Sequence, residues 1–508
     1  MREMRFGPPI VGAVSFAVYL RTLMPGIAFG DWGEMQTVPH VLGVAHPTGY
    51  PTYILLAWVA ELVPIGSVAF RANLLSAVLV AAALATVAVI AERLGARPAI
   101  AAAAALALGA IGTVWAAATV SEVNPLHFLL VALILHQALV WEERRRPRDL
   151  VLGGLLVGLA AGNHLLTLFV APFVVLFVVW AGRRELRARP WLALAAAGAG
   201  LLGLSVYLYI PIAASLNPPL PYNHPTTLDS FWWLVTGEQF RGQFDFLSSK
   251  GPGEFVDSLP FLSDLVTERA TAVFPLLGVI GLGILSRRRP AFGLAAVAVL
   301  LCGLYVWANY QRLEHYLLVP WMILALGVAV AVEGLADLAR RIAEWRRPFP
   351  GAMPDMGVVV SAGAIVAAVA LAATTWTGAD RSADRSGEDY VAAVFMALPP
   401  NAVILSEWDA STPLWHGQHV RGERQDVLIV DDTNIVYEGW GTREARIASV
   451  VCNRPTFILR IGELDLKPTM AEYTLTPFLR VHVAAGGPSG TLEREIYRVD
   501  AFPGTCGG

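Results

Sequence analysis

The sequence predicts a polytopic α-helical membrane protein that ends in a small α/β domain. Of its 508 residues, 56% are apolar and 15% are charged, and the mean hydropathy is positive. A soluble enzyme of this length does not have such a composition. Acidic and basic residues nearly balance, with a formal net charge of −3, so the chain lacks the basic excess expected of a nucleic-acid-binding protein.

The apolar residues are concentrated in segments that approach the roughly 20 residues needed to cross a bilayer. We expect about 11 spans, several of them short, in a membrane domain of residues 1–377. They are Pro9–Leu23, Phe70–Ala91, Ile100–Val120, Leu126–Val140, Leu150–Ala161, Leu165–Trp180, Trp191–Ile210, Ala272–Leu285, Phe292–Ala308, Tyr316–Val332 and Met356–Thr375. A further stretch, Tyr53–Val63, has about half the length of a span and carries Glu61, so we expect it to lie along the interface.

Arginine clusters indicate the orientation, because short arginine-rich loops stay on the cytoplasmic side. If Tyr53–Val63 lies along the interface, Arg2, Arg5 and all the later clusters fall inside; if it crosses, every later cluster falls outside. We therefore expect a multi-pass protein of a bacterial inner membrane, with a cytoplasmic N-terminus. The later clusters are Arg93 with Arg97, Arg144–Arg148, Arg183–Arg189, Arg287–Arg289 and Arg340–Arg347.

With this topology the outer face receives a first loop of residues 24–69, a large loop of residues 211–269, and a C-terminal domain of residues 378–508. In that domain, Asp389–Leu398 predicts a helix and Ser411–Val420 is compatible with another. Three short apolar runs bounded by turn residues predict strands, and they are Ala402–Leu405, Val427–Val430 and Phe457–Ile461. Cys452 and Cys506 can pair if the domain is exported to an oxidising compartment.

The first outer loop carries two carboxylates, Asp31 and Glu34, in the sequence Gly-Asp-Trp-Gly-Glu. Residues three apart share one face of a helix, so both can point at one site. Asp31 could instead cap that helix. The pair follows the end of a membrane span, where a charge is costly unless it is paired or used. This position favours a functional role for Asp31 and leaves both interpretations open for Glu34.

Further polar residues map to the same outer face. Glu122 lies between two spans, where it can approach Asp31 or simply end a helix in water. His164, after Asn163, interrupts an apolar run and either binds a ligand or closes a turn. The large loop is rich in proline and aromatic residues that suit either the membrane interface or a stacked sugar. Arg241 and Arg312 are suited to pairing with a phosphate, with solvent exposure as the alternative. No metal-ligand spacing is present among the outer histidines, so we predict no metal site.

The two motifs of the first loop, Gly30–Glu34 and His46-Pro-Thr-Gly-Tyr-Pro51, resemble segments of the transmembrane protein O-mannosyltransferase family, with Trp32 and Thr48 departing from its pattern. Ser121–Asn124, Gly162–His164, Tyr209–Pro211 and Thr236–Arg241 resemble further segments, so the similarity covers most of the membrane part.

This resemblance implies a GT-C fold and transfer of a sugar, expected to be mannose, from a polyprenyl-phosphate donor to an acceptor hydroxyl on a protein or glycan, with inversion. It implies Asp31 as the base and Glu34 and Glu122 as orienting carboxylates, with His164, Arg241 and Arg312 at the leaving phosphate. No cofactor is required, and the donor's lipid tail enters from the bilayer. The remaining residues expected to bind substrate are His46, Tyr50, Asn124, Asn163, Tyr222, Asn223 and Gln239.

Three alternatives remain open from the sequence. The enzyme could transfer another sugar, such as arabinose, to a glycan or lipid. A flippase or transporter would need ionisable residues at mid-bilayer depth, and the main candidate, His136 beside Gln137, lies near the inner end of its span. The chain could also be a receptor or scaffold, but that function would not explain the carboxylates of the outer loops.

Overall fold

The computed structural model describes residues 6–243, 252–310, 312–345, 355–435, 438–460, 463–484, 491–503 and 506. Its first part is helical. The helices described there are α1 (Gly7–Arg21), α2 (Gly30–Met35), α3 (Val38–Val41), α4 (Pro51–Glu61), α5 (Val68–Arg93), α6 (Pro98–Gly109), α7 (Gly112–Thr119), α8 (Asn124–Arg144), α9 (Pro147–Ala161), α10 (Thr167–Ala181), α11 (Arg183–Ala188), α12 (Trp191–Leu204), α13 (Tyr209–Ser215), α14 (Leu228–Val235), α15 (Pro252–Arg269), α16 (Val273–Arg288), α17 (Pro290–Asn309), α18 (Leu318–Trp345) and α19 (Met356–Ala379). Short 3₁₀ segments cover Ser205–Leu208, Glu238–Gln243 and Glu314–Leu317.

The apolar helices make the chain a multi-pass membrane protein. Among the described residues, six helices are long and apolar enough to cross a bilayer, or up to eight if each of two bent pairs is one span. The six are Val68–Arg93, Asn124–Arg144, Trp191–Ser215, Pro290–Asn309, Glu314–Trp345 and Met356–Ala379. Every segment predicted to span lies on a helix, but several of those helices are shorter, so the count of 11 spans stays a prediction.

The predicted span Ile100–Val120 is a broken helix, in which α6 and α7 meet at 71°. Gly109 and Gly112 flank the break. A Cβ atom at Gly109 would lie 2.7 Å from the hydroxyl of Tyr19, so this close approach requires glycine. The stretch Tyr53–Val63 corresponds to α4, which has 11 residues and is too short to span; its place along the interface stays a prediction.

The C-terminal part contains α20 (Ser386–Ala397), α21 (Trp408–Trp415), α22 (Asp432–Ile435), α23 (Arg443–Ala448), α24 (Glu463–Glu472), a π-helical turn His416–Val420, and a five-stranded sheet. The strands are β1 (Val403–Ser406), β2 (Leu428–Asp431), β3 (Thr456–Arg460), β4 (Tyr473–Ala484) and β5 (Thr491–Ala501). Their order is β2-β1-β3-β5-β4, with β1 parallel to β2 and β3, and β5 antiparallel to β3 and β4. Cys452 and Cys506 form a disulfide bond.

The α/β part packs directly on the first loop, residues 24–69. The Ile27 backbone N–H donates to the Glu388 carboxylate at 2.9 Å, and α2 contacts α21. A Cβ atom at Gly33 would lie 2.8 Å from the Thr412 hydroxyl, so the two helices meet at van der Waals distance. Residues of the C-terminal part are thereby brought beside the carboxylates of the first loop.

Candidate functional site

Asp31 and Glu34 lie on α2, a six-residue helix. The helix begins at Gly30, whose φ of 59° favours glycine. Its N-cap residue is Phe29, without a side-chain cap, so Asp31 does not cap it and its carboxylate is available for other contacts. Asp31 is exposed and Glu34 is 1% exposed. The shared helix that the spacing predicted therefore holds two carboxylates in opposite surroundings.

Glu34 is paired with His46. Its Oε1 accepts the backbone N–H of His46 at 2.8 Å, and its Oε2 pairs with Nδ1 of the ring. The other ring nitrogen, Nε2, contacts the hydroxyl of Tyr50 at 3.0 Å, and that hydroxyl donates its own proton to the Pro47 carbonyl. Both ring nitrogens of His46 therefore act as donors, as in an imidazolium.

The charges of this pair agree with its hydrogen bonds. Burial lowers the pKa of His46, but the carboxylates of Glu34 and Asp31 outweigh burial and raise that pKa to about 9. Burial raises the pKa of Glu34, against the opposing effect of His46. The pair thus retains a proton at neutral pH, which the hydrogen bonds place on His46.

A first cavity of about 460 Å³ opens beside Asp31. Eight residues predicted from the sequence line it, and they are Asp31, His46, Tyr50, Glu122, Asn124, His164, Tyr222 and Gln239. One wall is apolar and includes Leu165, Leu168 and Phe169, and Leu168 is 57% exposed. The cavity thus combines a polar end with a wall suited to a hydrocarbon chain.

Glu122 and His164 have opposite electrostatic roles in this cavity. Burial, followed by the nearby charge of Asp31, raises the pKa of Glu122 to about 7. Burial holds the pKa of His164 well below its usual value, with nearby histidines adding to the effect. The Leu166 backbone N–H donates to Nδ1 of His164 at 3.1 Å, so the proton of this neutral ring is on Nε2. His164 can donate one hydrogen bond without carrying a charge.

Other predicted residues lie elsewhere. Glu34 and Asn223 line a second cavity. The Asn163 amide is buried and donates to the Val123 carbonyl at 3.1 Å, which orients the chain between α7 and α8. Arg312 lies in the turn before the 3₁₀ segment Glu314–Leu317 and lines neither cavity. The side chain of Arg241 lies outside the described residues. Within the described part of the chain, no arginine or lysine lines the first cavity.

Sequence reasoning missed several residues of the first cavity. Tyr310, His315 and Tyr316 come from the segment between α17 and α18, and the rings of Tyr310 and Tyr316 stack with centroids 5.4 Å apart. Their position in a predicted outer loop was the available signal. Trp408 and Thr433 come from the C-terminal part, and no local pattern singled them out.

The second cavity, of about 410 Å³, lies between the loops of residues 24–69 and 211–269 and the C-terminal part. Tyr222 and Trp408 line both cavities. The Trp408 indole Nε1–H donates to Oδ1 of Asp31 at 2.7 Å. The remaining polar residues of the second cavity are Asn223, His224, Gln418, His419, Asp431, Glu438 and Glu34.

Asp31, Glu34 and His46 place donor atoms within 4.8 Å of one another, a spacing that a metal ion could use. Both ring nitrogens of His46 already have partners, Glu34 and the Tyr50 hydroxyl. A metal would have to replace one of them. The expectation of metal-free chemistry stays a prediction.

Comparison with solved structures defines the class of fold. The structure aligns with that of ArnT from Cupriavidus metallidurans bound to undecaprenyl phosphate, with a TM-score of 0.59 and 15% identity over 99% of both chains. It also aligns with the archaeal oligosaccharyltransferase AglB from Archaeoglobus fulgidus, in complex with an inhibitory peptide and a dolichol-phosphate, with a TM-score of 0.55 and 12% identity over 89% of this chain and 69% of AglB. The chain has a GT-C-like fold.

Comparison of sequences identifies related proteins. Residues 31–187 match the family described as the N-terminal domain of protein O-mannosyl-transferase TMEM260. The mouse protein O-mannosyl-transferase TMEM260 is 26% identical over 458 residues, which are 87% of this chain and 64% of the mouse protein. The chain is thus a relative of the TMEM260 O-mannosyltransferase family, and it covers less than two thirds of the length of the mouse protein.

Proposed function

We propose that this chain is a glycosyltransferase that moves a sugar, mannose, from a polyprenyl-phosphate donor to a hydroxyl of a protein acceptor, with inversion at the anomeric carbon. The observation that carries the proposal is the position of Asp31, an exposed carboxylate in a cavity that is lined by polar groups and also by the apolar residues Leu165, Leu168 and Phe169. A lipid-linked sugar needs both surfaces. The similarity to protein O-mannosyltransferases supports the sugar and the acceptor.

Asp31 acts as the base. As the acceptor oxygen bonds to the anomeric carbon, the hydroxyl proton passes to the Asp31 carboxylate. The bond between that carbon and the donor phosphate oxygen breaks, and the phosphate leaves with the electron pair. The leaving polyprenyl phosphate is stable as an anion, so it requires no proton. Glu34 cannot share the base's role because it is buried against the protonated His46.

His164 binds the leaving phosphate in this scheme. Its neutral ring can direct the Nε2–H into the first cavity, where His315 is a second lining imidazole. Arg312 and Arg241, which the sequence suggested for the phosphate, would have to approach when the donor binds. The apolar residues Leu165, Leu168 and Phe169 receive the start of the prenyl chain.

The proposal places the reaction at the outer face of a bacterial inner membrane, with the C-terminal part outside and the N-terminus in the cytoplasm. The arginine clusters on the opposite side support this orientation. The disulfide between Cys452 and Cys506 supports it as well, because disulfides persist in oxidising compartments and are rare in the cytosol.

The test uses purified protein in lipid with radiolabelled polyprenyl-phosphate mannose and a hydroxyl-bearing peptide. We expect wild type to transfer label and D31N to lose roughly 10²–10⁴-fold of that rate, the usual contribution of a general base. D229N is the matched control, since Asp229 is an exposed carboxylate at the start of α14 in the large outer loop. Equal rates in wild type and D31N would remove Asp31 from catalysis. Lipid movement across the bilayer without any transfer would favour a flippase.

A further inference from the structure

Trp408 is the one residue of the described C-terminal part that hydrogen-bonds the proposed base. It is the first residue of α21, and its indole N–H donates to Asp31 at 2.7 Å. Asp409, the next residue, forms an ion pair with Arg494 of β5. Because α21 also packs on α2, contacts with both parts of the chain fix the start of the helix that carries the indole.

The same ring forms part of the wall between the two cavities. Its centroid lies 5.6 Å from that of His46 and 5.8 Å from that of Tyr222, both in edge-to-face contact. Trp415 is a third ring in edge-to-face contact with Trp408, with the ring centroids 5.5 Å apart. Asp31 faces the first cavity, and Glu34 faces the second. The indole therefore stands where a molecule in the second cavity would meet the base.

The second cavity offers hydrogen bonds to such a molecule. Asp431 is 2% exposed, and its Oδ2 has no hydrogen-bond partner among the residues that the structure describes. Buried polar atoms normally have partners, so this oxygen is suited to a donor supplied by a ligand. His224, His419 and Glu438 add further polar atoms. The combination of aromatic rings and acceptor oxygens fits a polar ligand rich in hydrogen-bond donors.

We propose that the acceptor enters through the second cavity and that its hydroxyl replaces the Trp408 indole N–H at Asp31. This inference rests on the proposed function. Trp408 is a positioning residue. Without an acceptor, its N–H is hydrogen-bonded to the Asp31 carboxylate, so Asp31 does not efficiently remove a proton from water. Hydrolysis of the donor is therefore slow. When an acceptor binds, the hydrogen bond between the indole and Asp31 breaks, and Asp31 accepts the proton of the acceptor hydroxyl. The C-terminal part thereby links acceptor binding to chemistry.

Hydrolysis of the donor is the reaction that Trp408 suppresses. In it, the oxygen of water bonds to the anomeric carbon, its proton goes to Asp31, and polyprenyl phosphate leaves, which releases free mannose. W408F keeps an aromatic ring against Tyr222 and His46 but removes the N–H donor. Without acceptor, we expect W408F to release free mannose about tenfold faster than wild type, at the lower end of the energy of a hydrogen bond to a charged group. The rate of mannose transfer to the acceptor should rise by a smaller factor than the rate of hydrolysis, or fall.

The measurement is the ratio of free mannose to glycosylated acceptor in full-length protein in lipid. W345F is the control, because it makes the same substitution at the end of α18, where Trp345 is 85% exposed and lines neither cavity. Its ratio should equal that of wild type. W408Q retains an N–H donor without the ring, and its ratio should lie below that of W408F. If W408F does not fold, W408Q alone tests the inference. A ratio in W408Q equal to that of wild type would then support the role of the N–H.

Three results separate the possible failures. A ratio in W408F equal to that of wild type would overturn the inference while leaving the proposed function intact. Equal ratios in W408F and W408Q, both raised, would assign the effect to the ring and overturn the role of the hydrogen bond. If wild type consumes no donor with or without acceptor, the proposed function itself fails.

Discussion

Three carboxylates of the site lie in three different surroundings. Asp31 is exposed and bonded to an indole, Glu34 is buried against an imidazolium, and Glu122 is buried beside Asp31. Different surroundings give chemically identical groups different protonation states. At neutral pH Glu122 is therefore partly protonated, whereas the proton of the Glu34–His46 pair lies on the ring.

Glu122 should make donor binding depend on pH. Its pKa is raised to about 7 by burial and by Asp31, so it is neutral below pH 7 and anionic above. An added negative charge in the first cavity repels the donor phosphate, so we expect the KM for donor to rise as pH rises through about 7. E122Q stays neutral, and its KM should remain flat between pH 6 and 8, as measured by initial rates.

The control for this prediction is D229N, whose substitution lies outside the cavity and should preserve the wild-type pH dependence. A KM in E122Q that rises with pH as steeply as in wild type would assign the titration to another group.

At the scale of the elements, glycines set the contact between α9 and α12. A Cβ atom at Gly158 would lie 2.1 Å from the carbonyl oxygen of Gly200, and one at Gly203 would lie 2.7 Å from that of Leu155. These helices therefore pack backbone to backbone, as small residues permit in membranes. Much of α12 is otherwise exposed, so this glycine face is its main attachment.

Substitution of Gly158 should loosen this helix pair. We expect G158A to lower the free energy of unfolding by about 1–3 kcal/mol, the typical cost of overpacking, measured by thermal denaturation in detergent. G198A is the matched control on α12, because a Cβ atom there meets no atom within 4 Å; it should be neutral or slightly stabilising, since alanine is the better helix former. Equal losses in both variants would contradict the packing argument.

The elements differ in how far their own residues predict them. The apolar runs of the membrane part and the strands β1, β2 and β3 were predicted from local hydrophobicity, because each is an almost continuous run of apolar residues in the sequence. The strands β4 and β5 were missed, since they are long, partly exposed and rich in charge, as at Arg480 and Glu495. Their pairing with each other stabilises them more than any apolar pattern of their own.

At the scale of the whole molecule, the site is assembled from distant parts of the chain. Asp31 and Trp408 are 377 residues apart. The motif of the first loop predicted the carboxylates and His46, because they lie within a short segment. The contact of Trp408 depends on how the C-terminal part docks on the loop, which no local pattern encodes. The second cavity was likewise beyond prediction, since it exists only between the two parts.

The proposed orientation predicts which surface of the molecule reagents can reach. Met396 on α20 and Trp345 at the end of α18 are matched probes, exposed by 82% and 85%, and Cys302 is the only cysteine outside the disulfide. In a C302S background, we expect a membrane-impermeant maleimide to label M396C in intact cells. W345C should be labelled only after the membrane is permeabilised, because it follows the predicted cytoplasmic arginines Arg340 and Arg341. The reverse labelling pattern would place Asp31 on the cytoplasmic side and contradict the proposal that the acceptor is an exported protein. Labelling of both variants in intact cells would mean that an even number of spans separates residues 345 and 396.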